Sequence, residues 1–150
     1  GKEELTEKVY LDIVGAFNDP GSWVIDESFY ALYDRAMKES VGLGIISNWD
    51  LRLRNLLRNL GLLKYFQNII ISSEFGYEKP SERIFYEAMR QANTGSGSLV
   101  YAGDKPEFDI YTPEKLGWRA YLITEKKTKS FESVKNLGEL ADKILALSAF

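Results

Sequence analysis

At 150 residues, with 45% apolar and 27% charged side chains, the chain is long enough for one domain with a sizeable core. Its net charge of −3, with no strongly basic stretch, gives no electrostatic footprint for a nucleic-acid backbone. It contains neither cysteine nor histidine, which excludes disulfides, thiolate nucleophiles, Cys/His zinc sites and a histidine general base. Chemistry is left to Asp, Glu, Lys, Ser, Thr or Tyr, and any metal would be a hard cation such as Mg²⁺ held by oxygen. No apolar run approaches the ~20 residues of a membrane span, and no secretory leader pattern is present. A soluble cytoplasmic protein is the expectation, with an organelle matrix left open. The start at Gly1 rather than Met leads us to expect upstream residues in the parent protein.

Leu5, Val9, Ile13 and Phe17 recur every four positions, the spacing of one helix face, so a helix is predicted over Lys2 to Phe17. Asn18-Asp19-Pro20-Gly21-Ser22 is a turn cluster that ends it. Phe29, Leu32, Tyr33, Ala36 and Met37 mark a second helix over Glu27 to Lys38. Val41 to Ile46 is a short apolar run stopping at polar Ser47-Asn48, which predicts a strand buried on both faces. Leu53, Leu56, Leu57 and Leu60 form the next helical stripe, with Gly61 placed as its C-terminal cap.

Asn68 to Ser72 is the second predicted strand. Ser81 is placed to cap a helix carrying Ile84, Phe85, Ala88 and Met89. Gly95-Ser96-Gly97 is a loop, Leu99 to Ala102 a third strand, Thr112 to Leu116 a short helix and Ala120 to Ile123 a fourth strand. Lys126-Lys127-Thr128-Lys129 is a solvated basic loop, and a last helix carries Leu137, Leu140, Ala141, Ile144 and Leu145. Strands alternating with helices predict an α/β fold: a parallel sheet with right-handed crossovers and helices on both faces.

Ligands of such sheets bind beyond the carboxyl ends of the strands. The first strand ends in Ser47-Asn48-Trp49-Asp50, a hydroxyl followed by helix-opening amides, which suits a phosphate oxygen. Taken alone, Ser47, Asn48 and Asp50 are better explained as caps of the next helix. The second strand leads to Lys79-Pro80, where proline keeps the lysine out of helical geometry and its charge is placed to meet a phosphoryl group or carboxylate. Singly, it is also an ordinary loop lysine. The third strand ends in Gly103-Asp104, with Asp109 following, a pair of carboxylates suited to a hard cation. A lone Gly-Asp is also a common turn.

In order, strand–Ser, strand–Lys-Pro and strand–Gly-Asp-x₄-Asp resemble the second, third and fourth motifs of the haloacid dehalogenase superfamily. The resemblance runs from about Trp23 to Ile123 and is nearest the domain-containing-protein-3 branch, through Ser47-Asn48-Trp49-Asp50. It implies a Rossmann-like core over 25–150, preceded by a remnant of a helical cap and its return linker over 1–24. The return is carried by Asp19 to Ile25, with Trp23 before a strand-like Val24-Ile25. It implies that Ser47 and the Asn48 amide bind the phosphoryl group and that Lys79 neutralises it. Asp104 would hold Mg²⁺ with Asp109 in support. The implied activity is an Mg²⁺-dependent phosphatase acting on a small phosphorylated metabolite through an aspartyl intermediate.

The family's first motif, D-x-D-x-T/V, carries the nucleophile and is not found. Its one candidate, around Asp12, has Val14 where a second aspartate belongs and Ala16 where threonine belongs, and it lies on the helical pattern. The nucleophile is therefore expected outside this chain, which alone should be inactive. A degenerate first motif at Asp12, or a non-catalytic structural or regulatory subunit of a larger assembly, are the alternatives. The family's sheet order places the missing strand between those ending at Ser47 and Asp104. An upstream segment or a partner chain is therefore expected to complete the sheet.

Overall fold

The computed structural model describes residues 19–148, with side chains through residue 144. The helix expected over Lys2 to Phe17, the Asp12 candidate and most of the expected cap remnant lie outside the described residues. The described part begins with a 3₁₀ turn at Pro20–Ser22, whose amide at Gly21 donates to the Asp19 carboxylate. The strand expected at Val24-Ile25 does not form: the segment is irregular and Val24 is 96% exposed, with no strand beside it among the described residues. Helix α1, Ser28–Lys38, follows and buries Phe29, Leu32 and Ala36.

Five parallel strands carry the core: β1 Gly44–Ser47, β2 Asn68–Ile71, β3 Val100–Gly103, β4 Arg119–Ile123 and β5 Ser133–Val134. Between them run α2 Arg52–Asn59, α3 Ser72–Phe75, α4 Glu82–Ala92, α5 Pro106–Asp109 and α6 Tyr111–Lys115, and α7 Leu137–Ser148 closes the chain. Gly61, at φ +70°, follows α2 with its amide on the Arg58 carbonyl, the left-handed exit that glycine tolerates. Ser81 caps α4 by accepting from the Arg83 amide.

Successive strand residues bury against opposite layers. Val100, Ala102 and Tyr121 face α1 and α7 through Leu32, Leu140 and Ala141. Ile46, Ile70 and Tyr101 face Ile84 and Phe85 of α4 and Trp118. Ile45, Ile69 and Ile71 pack on Leu53 and Leu57 of α2. Helices thus cover both faces, which is why the strands read as unbroken apolar runs.

The strands form two separate ladders, β1–β2 and β3–β4–β5. Among the described residues no strand lies between β1 and β3. The Arg119 amide donates to the Leu99 carbonyl, so in the alternation of a parallel ladder Leu99, Tyr101 and Gly103 turn their backbone groups to β4. Val100 and Ala102 therefore turn theirs to the slot. On β1, Leu43 accepts from Gln67 beside β2, which leaves Gly44 and Ile46 facing the slot. Cavities of about 730 Å³ and 440 Å³ open along it. One is walled by Leu43, Val100, Leu140 and Ile144, the other by Ile46, Ile70, Ala88 and Trp118.

Candidate functional site

Ser47 is the last residue of β1 and Asp104 follows the last residue of β3, so both sit at the carboxyl end of the parallel strands. Lys79 comes to the same end on the loop after α3. Gly76, at φ +89°, ends that helix in a left-handed turn and redirects the chain. The Asn48 side chain then clamps the Lys79 backbone from both sides. Its Nδ2 donates to the Lys79 carbonyl at 2.8 Å, and the Lys79 amide donates to its Oδ1 at 2.7 Å. The Lys79–Pro80 peptide bond is cis, and the Pro80 carbonyl accepts from Thr112 Oγ1 at 2.9 Å.

The Lys79 ammonium points inward. It donates to Asp109 Oδ1 at 2.6 Å and to the Tyr101 hydroxyl at 3.0 Å, with the Lys79 and Asp109 side chains only 12% and 4% exposed. Pro106 opens α5, and from the end of that single turn Asp109 reaches back so that the Lys105 amide donates to its Oδ2 at 3.0 Å. Both carboxylate oxygens are therefore engaged. Gly103 makes this possible: a Cβ there would lie 2.3 Å from Asp109 Cγ. The glycine of Gly103-Asp104 thus has a steric reason within this chain, since no larger residue leaves room for the buried carboxylate.

Asp104 lies exposed beyond the end of β3. Among the described residues no three His, Cys, Asp or Glu side chains gather as a metal cage. One accessible carboxylate still fits Mg²⁺, which is commonly held by one or two carboxylates together with substrate phosphate and water. Asp109, with its oxygens taken by Lys79 and Lys105, acts on the lysine.

Asp50 behaves as a cap. The Arg52 amide donates to its Oδ1 at 3.0 Å, and hydrogen bonds from Arg52 hold its carboxyl below the usual carboxylate range. Beside it, the Trp49 and Trp23 rings lie tilted at 5.5 Å, tying the Asp19–Ile25 segment to the site loop.

Sequence reasoning missed Tyr101. Its hydroxyl sits 3.2 Å from the Ile46 carbonyl and 3.4 Å from Asp109 Oδ1, besides its bond from Lys79. Burial first, then the Asp109 and Asp104 carboxylates, push its phenol well above the ordinary tyrosine range, so it stays a neutral hydrogen-bonding group. An aromatic inside the apolar run Leu99 to Ala102 reads as core, and no local signal marks it otherwise.

The fold agrees with comparison to known proteins. The family model for haloacid dehalogenase-like hydrolases matches residues 9–123, and the chain belongs to that family. Within it, the chain is similar to haloacid dehalogenase-like hydrolase domain-containing protein 3 of Danio rerio, 30% identical over 122 residues, 81% of this chain and 50% of the relative. It is also similar to the glyceraldehyde 3-phosphate phosphatase of Methanothermobacter thermautotrophicus, 33% identical over 94 residues, 59% of this chain and 39% of that protein. The fold resembles the crystal structure of a HAD phosphatase from Thermococcus onnurineus, with a TM-score of 0.77 at 24% identity, over 84% of this chain and 60% of that one. The chain spans about half the length of the curated relatives it matches.

Proposed function

We propose that this chain carries the phosphate-binding and charge-neutralising half of an Mg²⁺-dependent phosphatase site. The substrate would be a small phosphorylated metabolite, attacked through an aspartyl intermediate. The attacking carboxylate would come from polypeptide outside this chain, on a strand lying in the slot between β1 and β3. The observation that carries the reading is the Lys79 ammonium, fixed at the carboxyl end of the strands by Asn48 at its backbone and Asp109 at its tip.

Phosphoryl transfer needs oxygen charge to be positioned and neutralised more than it needs covalent chemistry from the protein. Ser47 and the Asn48 amide would hold phosphoryl oxygens, and Lys79 would stand between the phosphoryl group and the attacking carboxylate. Asp104 would hold the Mg²⁺, while Asp109, expected to support the ion, would instead hold the Lys79 ammonium. When bound, the ion would offset phosphoryl oxygen charge. The haloacid-dehalogenase reaction is the less favoured activity, because the phosphatase-named relative shares a third of the residues it aligns with here.

The slot gives this reading a structural requirement. Unpaired backbone groups cost about 1–3 kcal/mol each when buried, and several of them rival the ~5–15 kcal/mol of a whole domain. The test compares residues 1–150 with the longer parent protein for hydrolysis of para-nitrophenyl phosphate with Mg²⁺. The parent should turn over, while residues 1–150 should be inert and lack a cooperative melt above about 50 °C, the range of intact mesophilic domains. Turnover by residues 1–150 that Asp12→Asn abolishes would move the nucleophile into this chain and overturn the proposal.

A further inference from the structure

Lys79 is held at three points: its backbone by Asn48, and its ammonium by Asp109 and by Tyr101. An ammonium has three N–H donors. Asp109 Oδ1 takes one at 2.6 Å and the Tyr101 hydroxyl takes another at 3.0 Å, so two bonds fix the direction of the third. With Asp109 alone the ammonium would be free to swing about a single oxygen.

The phenol is itself immobilised. Its ring meets Phe85 edge-on at 5.6 Å and Trp118 at 6.3 Å. Accepting from Lys79, the hydroxyl spends its own proton on the Ile46 carbonyl at 3.2 Å, the shorter of its two available acceptors. Ile46 immediately precedes Ser47, so the phenol joins the lysine to the strand that bears the serine. A charge that neutralises developing negative charge acts through its placement, and a small displacement weakens it more in the transition state than in the bound substrate.

We propose that Tyr101 is a positioning residue for Lys79, its hydroxyl setting where the ammonium points. The inference rests on the hydrolase reading only for its kinetic consequence. The lysine geometry stands apart from it.

The experiment substitutes Tyr101→Phe in the full-length parent, which removes the hydroxyl and keeps the ring against Phe85 and Trp118. Two readouts are taken: steady-state hydrolysis of para-nitrophenyl phosphate with Mg²⁺, and trace acetylation of Lys79 by acetic anhydride. The second is followed by peptide mass spectrometry, with exposed Lys126 and Lys127 as internal references. A tenfold or greater fall in kcat with KM within threefold is expected, together with at least threefold faster labelling of Lys79 and a melting temperature within a few degrees of wild type. Unchanged kcat with unchanged labelling would overturn the proposal. Loss of folding in Tyr101→Phe would overturn it too, since the hydroxyl would then be a stability element. If the wild-type parent proves inactive, the hydrolase reading fails, and the labelling ratio alone decides the role of Tyr101: at least threefold supports it, and unity refutes it.

Discussion

Replacing Asp109 by alanine strands the Lys79 ammonium. The two side chains are 4% and 12% exposed and meet at 2.6 Å, so removing the carboxylate leaves a charge with little water to turn to. Breaking one partner of a buried pair costs about 3–5 kcal/mol. For a protein of 150–250 residues, that corresponds to a fall in melting temperature of roughly 6–20 °C. Asp109→Ala also removes the acceptor for the Lys105 amide at the start of α5. The assay is urea unfolding of the full-length parent, with Asp109→Ala, Lys79→Met and the double variant compared in a cycle. Removing the stranded ammonium should return at least half of the loss, because the largest part of the cost is the uncompensated charge. A loss under about 1 kcal/mol, the size of an exposed pair, or costs that simply add, would refute the reasoning.

Gly103→Ala should lower both activity and stability in the parent, by about 1–3 kcal/mol for overpacking, because the new Cβ would meet Asp109 Cγ at 2.3 Å; a melting temperature and kcat equal to wild type would contradict it. Glu87 is pulled down to about 2 by its hydrogen bonds from Arg90 and Gln91. With the folded value below the unfolded one of 4.5, its contribution is present above pH 4.5 and is lost as pH falls toward about 2. Glu87→Gln should therefore flatten that part of the acid stability curve, and an unchanged curve would show the carboxylate titrating normally. Asp104→Ala in the full-length parent should raise the Mg²⁺ concentration for half-maximal hydrolysis at least tenfold, since its one accessible carboxylate is completed by substrate and water; an unchanged Mg²⁺ requirement would contradict the assignment.

The strands were legible because helices on both faces favour apolar residues through Val41 to Ile46, Asn68 to Ser72 and Leu99 to Ala102, although β1 and β3, expected to be buried, are only half-buried beside the slot, and the observed bounds differ at the ends. Strand β5 was not, since Ser133–Val134 offers two residues, one of them polar. Val24-Ile25 failed in the opposite sense. It has β-branched residues, but among the described residues no edge receives it, and propensity without a partner makes no strand. The resemblance's sheet order implies a gap between β1 and β3, and among the described residues the strands form two separate ladders. At the site, residue types named Lys79, Asp104 and Asp109, but how they are connected lay beyond the sequence. That Asn48 clamps the Lys79 backbone, and that Tyr101 reaches across to Ile46, depends on contacts 31 and 55 residues apart. Such pairings leave no periodicity to read.

The most direct test of the central claim, that Lys79 neutralises a phosphoryl group at the carboxyl end of these strands, is kcat for Lys79→Ala in the full-length parent. Hydrolysis of para-nitrophenyl phosphate with saturating Mg²⁺ should fall by roughly 10²–10³-fold, the loss that follows removal of one preorganised electrostatic contact. Circular dichroism should confirm that the variant is folded. A folded Lys79→Ala protein that retains kcat within threefold of wild type would contradict the account.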